Sequence, residues 1–386
     1  MTVHNGADDS AMTYSKVPAF INRTSELAFL KGWIAEKPEN ILFIYGPKSS
    51  GKTTLLYKFV TEHLSDGRYD LKHINLREIL ITQYQDFVRA FFEHDYSKEK
   101  GDVKEKREYN LQVFKLTVEA FKGVETKELD PFVIMKAELR KLVDRGIRPV
   151  IIIDELQALE GIYLNGQREI LKELFNFFVA MTKESHLCHV IIASSDGYFI
   201  DRIYNDSKLK KTSQFLEVEY LARDDVYFWL NHLERESGIT RYTLTPEQMD
   251  IIWETFGGSC WEISRFLGDI LMKAEVGGVP NEAFTAIRDR TLVQMRSMYA
   301  DYAKIFPEKR ALLKALAVVV ARHGKFNEEH LGKLVTEGIW QPAALVDELG
   351  KLVNNNFISY NPVTAEYAVQ GRSMELGLQM YIEMIG

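Results

Sequence analysis

Cysteine is scarce in this chain. There are two among 386 residues, Cys188 and Cys260, too far apart to form a metal-ligand spacing. That excludes a disulfide-stapled scaffold and a zinc ribbon, and it suits a reducing compartment, so a cytoplasmic location is expected. Long apolar runs are missing too. No stretch approaches the roughly 18 residues that span a bilayer, and the longest candidate, Ala311 to Ala321, is broken by Lys314. No membrane association is therefore expected. The opening residues carry Asp8 and Asp9 without an apolar stretch, so residues 1–19 read as a mobile tail and not as a signal peptide. An excess of positive charge is also lacking: 48 Lys and Arg face 55 Asp and Glu, a net of −7. Bulk charge thus gives no attraction to polyanions. No internal repeat is visible. What remains is 46% hydrophobic and 27% charged, the composition of an ordinary globular protein with room for two or three domains.

The most informative segment is Gly46-Pro47-Lys48-Ser49-Ser50-Gly51-Lys52-Thr53. It matches G-x-x-x-x-G-K-[ST], a loop that cradles phosphates. Its glycines reach backbone angles that a Cβ would forbid, and the helix that follows offers its positive end to an anion. Lys52 is expected on the β- and γ-phosphates and the Thr53 hydroxyl on Mg²⁺, with Thr54 completing the phosphate-binding set. The context agrees with the motif. Asn40 to Tyr45 reads as a short buried strand, and Thr54 to Val60 repeats its apolar residues at helical spacing.

Phosphoryl transfer also needs a carboxylate near the metal and a group that activates water. Pro149-Val150-Ile151-Ile152-Ile153-Asp154-Glu155 supplies both at the end of an apolar strand. Asp154 is expected in the Mg²⁺ shell, and Glu155 is expected to act as the general base. A third strand, His189 to Ala193, ends in Ser194-Ser195-Asp196. A polar residue at that tip can contact the γ-phosphate or the attacking water; Ser195 is the first candidate and Ser194 the second. The alternative is ordinary turn chemistry.

A nucleotide domain is expected over 20–220, with strands at 41–45, 71–76, 150–153, 189–193 and 214–219 alternating with helices. That order implies an α/β fold: a parallel sheet with helices on both faces and ligands beyond the carboxyl ends of the strands. The mixed-charge stretch Glu93 to Glu108 reads as a solvated face or insertion. A helical lid is expected over 221–302, with Thr245-Pro246 as a helix start, Gly257-Gly258 as its stop, and a following helix carrying Trp261, Ile263, Phe266, Leu267 and Ile270. Residues 303–386 read as a winged helix. Its helices are expected at 311–322, 328–335 and 342–354, and its hairpin pairs 357–360 with 366–369. Residues 301–386 hold nine Lys and Arg against ten Asp and Glu, so the footprint of a DNA binder is missing there and a protein partner is favoured over DNA.

Together these features resemble the archaeal-type ATPases of the STAND class, relatives of the AAA+ ATPases and of the Orc/Cdc6 initiators. The phrase Phe20-Ile21-Asn22-Arg23-Thr24-Ser25-Glu26-Leu27 looks like that family's F-x-x-R-x-x-E-L opening. The resemblance implies that Asn22 and Arg23 border the adenine, and that lid and winged helix close over ATP or ADP and repack on exchange or hydrolysis. The motifs do not separate adenine from guanine; ATP follows from the resemblance. Two departures stand out. Where the family usually has an Arg before the last core strand, this chain has Ser207-Lys208-Leu209-Lys210-Lys211-Thr212, and Arg202 or Arg223 is a candidate substitute. Gly257-Gly258 lacks the family's following Pro, and Arg265 is the candidate lid sensor against a plain surface ion pair. The leading expectation is therefore a Mg²⁺-dependent ATPase switch, slow without a partner or second subunit. An ATP-regulated DNA-binding initiator and a non-hydrolysing nucleotide-bound scaffold are the alternatives.

Overall fold

The computed structural model describes residues 19–94, 113–164, 166–206, 209–274 and 278–386. The expected tail, save Ala19, and most of the mixed-charge stretch lie outside the described residues. Contacts divide the chain into two compact units. Among the described residues, one comprises those of Arg23–Glu219 with His323–Gln370, and the other comprises 19–22 with those of Tyr220–Arg322 and Gly371–Gly386.

The first unit is built on a parallel sheet. Its strands are β1 (Ile41–Tyr45), β2 (Tyr69–Asn75), β5 (Arg148–Asp154), β8 (His189–Ser194) and β9 (Ser213–Glu217), in the order β2-β5-β8-β1-β9. Strands β3 (Phe92–His94) and β4 (Phe114–Leu116) form a short parallel pair, and β6 (Tyr163–Leu164) and β7 (Arg168–Glu169) a short antiparallel one. The central strands are runs of β-branched and aromatic residues because both of their faces are covered. Ile151, Ile153, Val190 and Ile192 join one core with Phe87, Phe91, Phe175 and Phe178. Their alternate neighbours Val150, Ile152 and Ile191 are equally buried. The helices are α1 (Thr24–Ala35), α2 (Lys52–His63), α3 (Tyr84–Phe91), α4 (Val118–Glu125), α5 (Pro131–Asp144), α6 (Ile170–Val179) and α7 (Gly197–Asp206). Asp130 caps α5 by accepting from the Phe132 and Val133 amides, with Pro131 at the first helical position. The expected parallel α/β arrangement is present.

The second unit is helical: α8 (Arg223–Asn231), α9 (Leu233–Ser237), α10 (Pro246–Phe256), α11 (Cys260–Leu271), α12 (Asn281–Ala303), all but the last residue of α13 (Pro307–His323), and α16 (Arg372–Ile385). Thr245 and Gln248 form a capping box at the start of α10, and Gly257 closes it at positive φ, as the sequence implies. Its core gathers Trp229, Ile252, Phe256, Ile263, Phe266, Leu267 and Ile270.

Within the first unit, β10 (Lys325–Phe326), a 3₁₀ turn at Glu328–Leu331, α14 (Gly332–Thr336) and α15 (Pro342–Asn354) lead to the hairpin of β11 (Ile358–Asn361) and β12 (Glu366–Val369). These strands form a three-stranded sheet in the order β10-β12-β11. The hairpin packs on the start of α7. The rings of Tyr198 and Tyr360 lie 4.6 Å apart, and Tyr198 is hydroxyl-bonded to Tyr367. The Tyr367 hydroxyl also donates to Glu328 Oε1 at 2.6 Å. A Cβ built at Gly197 would run into the Tyr360 carbonyl, so this approach requires glycine.

Candidate active site

The phosphate loop joins β1 to α2 as the motif requires. Gly46 has φ 144° and lies against the backbone of Val218, leaving no room for a side chain. Gly51 has φ 95° as the residue before α2. Pro47 and Ser49 are half-buried, Lys48 is exposed and Ser50 is fully buried. The Lys52 ammonium donates to the carbonyls of Gly46 and Pro47, each at 2.8 Å. Burial pulls its pKa down to about 8, against the opposing pull of Glu155 and Asp154. The lysine is thus held inside the loop by carbonyl dipoles beside two acids.

Strand β5 delivers those acids. Asp154 closes the strand, is buried, and accepts from the Thr53 hydroxyl at 3.2 Å. Burial and the neighbouring charge of Glu155 raise its pKa. Two hard oxygen donors on converging side chains fit Mg²⁺, which prefers carboxylate, hydroxyl and phosphate oxygens. Among the described residues no group of three or more His, Cys, Asp or Glu could hold a metal without such help.

Glu155 sits at φ 62°, just past the strand, and its amide still bonds to the Ala193 carbonyl at 3.0 Å. The left-handed turn carries the side chain into a cluster of polar groups. Its Oε1 pairs with Arg77 and accepts from the Ser195 hydroxyl at 3.4 Å, and its Oε2 accepts from Gln157. Ser194 donates to Gln157 Oε1 at 3.1 Å and receives the Asp196 amide at 3.0 Å. The two serines therefore divide the work: Ser195 touches the acid, and Ser194 fixes the glutamine and the turn. Asp196 accepts the Phe199 amide at 2.9 Å at the start of α7.

Arg77 is absent from the sequence-level site. It lies in the 3₁₀ turn after β2, whose last residue Asn75 is in register with Asp154. Its only local signal is a polar cluster at a strand end, which reads equally well as a turn.

The remaining candidates have other company. Arg23 is buried and donates to the Ser50 and Glu219 carbonyls, each at 2.7 Å, with Glu26 as its ion partner at 2.8 Å. Asn22 donates to Asp225 at 2.6 Å in the helical unit. Thr54 is half-buried in the first turn of α2. Arg202 pairs with Glu160, and Arg223 with Asp250 at 3.1 Å. Arg265 lies over the exposed Trp261 ring at 5.3 Å in the helical unit. Lys210 and Lys211 are exposed in the turn before β9.

The chain is similar to known ATPase domains and ATP-binding proteins. A profile of ATPase domains predominantly from Archaea matches residues 20–266. The uncharacterized ATP-binding protein MJ1076 of Methanocaldococcus jannaschii is 39% identical over 208 residues, covering 54% of this chain and 60% of its own. MJ1659 of the same organism, also an uncharacterized ATP-binding protein, is 31% identical over 275 residues, covering 67% and 73%. The chain spans less than two thirds of the length of several such relatives, 60% of MJ1076 and 64% of MJ1006. Among solved structures, the Walker-type ATPase PABY2304 of Pyrococcus abyssi aligns with TM-score 0.62 at 17% identity, covering 93% of this chain and 96% of that one. The Aeropyrum pernix ORC2 protein, solved with ADPNP and ADP, aligns at 0.52 and 12% identity, covering 97% of each. These two neighbours share the fold.

Proposed function

From the membership of this chain in the family of ATPase domains found predominantly in Archaea, and from its Orc/Cdc6-like P-loop fold, we propose that it is a Mg²⁺-dependent ATP-hydrolysing switch. One observation carries this reading: Lys52, Thr53, Asp154 and Glu155 meet at the carboxyl ends of β1 and β5 with Thr53 bonded to Asp154. In this reading Lys52 leaves the loop carbonyls for the β- and γ-phosphates. Thr53 and Asp154 hold Mg²⁺, which when bound supplies positive charge against the phosphoryl oxygens. Glu155 takes the proton of the attacking water, and Ser195 meets the γ-phosphate or that water.

Glu155 is tied on both oxygens, to Arg77 and Ser195 on one side and Gln157 on the other. Three of a carboxylate's about four acceptor sites are then engaged, so few orientations are left in which it can take a proton from water. Basal turnover is accordingly slow, and an arginine from a protein partner or a second copy would complete charge stabilisation. We read residues 221–302 as the lid and 303–386 as a winged helix whose packing follows nucleotide state, inside the cytoplasm. The near-neutral charge of that last segment favours a protein over DNA as the partner. The reading is tested by phosphate release from Mg-ATP, with candidate partners present, for the wild type and Lys52→Ala. Steady release that the variant abolishes supports an ATPase; equal release from both removes the reading.

A further inference from the structure

Arg23 immediately precedes α1. Its Nη2 donates at once to the carbonyl of Ser50, inside the phosphate loop, and to the carbonyl of Glu219. Its Nη1 pairs with Glu26, whose carboxylate also accepts from the Ser25 hydroxyl at 2.7 Å. These partners occupy both protons of Nη2, and Arg23 is 7% exposed. A guanidinium spent in this way on backbone acceptors fixes the chain that carries them.

Both ends of the loop are attached to one dipeptide. At its start, the Val218 amide donates to the Tyr45 carbonyl at 2.8 Å, and Gly46 presses on the Val218 carbonyl so closely that no Cβ fits. Near its end, Ser50 is linked through Arg23 to Glu219. Val218 and Glu219 are the last residues of the core unit before the chain passes into the helical unit at Tyr220.

We propose that Arg23 is a positioning residue for the phosphate loop, a clamp that holds Ser50 to the chain leaving β9, and that it does not read the adenine. The proposal rests on the phosphate site described above and goes beyond it by assigning the clamp. Its consequence is specific: the clamp acts on phosphates alone, whatever nucleoside they carry.

The test measures binding of Mg-ATP, Mg-ADP and Mg-tripolyphosphate to the full chain by titration calorimetry, beside the melting temperature. Arg23→Ala is expected to weaken all three by a common factor of about tenfold, the scale of one charge-assisted hydrogen bond. Arg23→Lys keeps a donor for the carbonyls and recovers part of the loss; it carries the comparison if the alanine variant does not fold. A role in stability alone would lower the melting temperature and leave the affinities of the folded protein unchanged, which overturns the proposal. Loss of ATP and ADP affinity with tripolyphosphate unaffected also overturns it, because the guanidinium would then be reading the nucleoside. Failure of the wild type to bind any of the three removes the phosphate site itself, and the clamp with it.

Discussion

Removing the Arg77 side chain should speed hydrolysis. Arg77 pairs with Glu155 from a side chain that is 51% exposed, whereas the Glu155 side chain is 10% exposed. A hydrogen bond to a charged group contributes about 1.5–3 kcal/mol where water is excluded. Half-exposure of the guanidinium screens the pair, and about 1 kcal/mol remains. Gln157 still holds the other carboxylate oxygen, so Arg77→Ala frees the base only in part. If the chemical step requires Glu155 to leave this pair, about 1 kcal/mol corresponds to a rise of about fivefold in its rate. Single-turnover hydrolysis of prebound ATP isolates that step from binding and release. A fivefold faster step with unchanged ATP affinity is expected. A rate that falls tenfold or more at unchanged affinity would make Arg77 an aid to the base instead of a restraint on it.

Gly197→Ala drives a methyl group into the Tyr360 carbonyl, so the β11–β12 hairpin should leave α7; hydrogen exchange at 358–369 should accelerate, and unchanged protection would contradict the packing account. His189 is buried beside Trp33, and burial, aided by the charge of Arg148, lowers its pKa to about 4 from 6.5. The unfolded chain then binds the extra proton first, so this stabilisation is complete above pH 6.5 and is lost as pH falls toward 4. At about 1.4 kcal/mol per pH unit the loss reaches about 3 kcal/mol. Urea unfolding of His189→Gln should show a shallower decline over that range, and an identical slope would exclude His189 as the cause.

The phosphate loop, the acid pair and the β8 serines were legible because each signal lies within a few residues of one strand end. Gly46 to Thr53 and Asp154-Glu155 carry their chemistry in local spacing, and the sheet follows from apolar runs between turn residues. The start of α10 and its glycine stop were legible for the same reason. Arg77 was not, since its meaning depends on β2 lying beside β5 and placing a turn residue against an acid 78 positions away. Gly197 reads as a turn glycine until Tyr360 arrives from a strand far along the chain. Arg23 was legible as part of a motif, but its partners Ser50 and Glu219 emerge only when β1 and β9 pair. The short β3–β4 and β6–β7 pairs carry too few residues for a periodic signal.

If Asp154 and Glu155 turn a phosphate-binding loop into a hydrolytic centre, Glu155→Gln separates ATP binding from its hydrolysis. The amide keeps the shape of the side chain but cannot take a proton, so the variant should bind Mg-ATP as the wild type does. Its single-turnover hydrolysis should slow by about a hundredfold, the scale of a general base. Hydrolysis by Glu155→Gln at the wild-type rate, with ATP equally bound, would contradict the account.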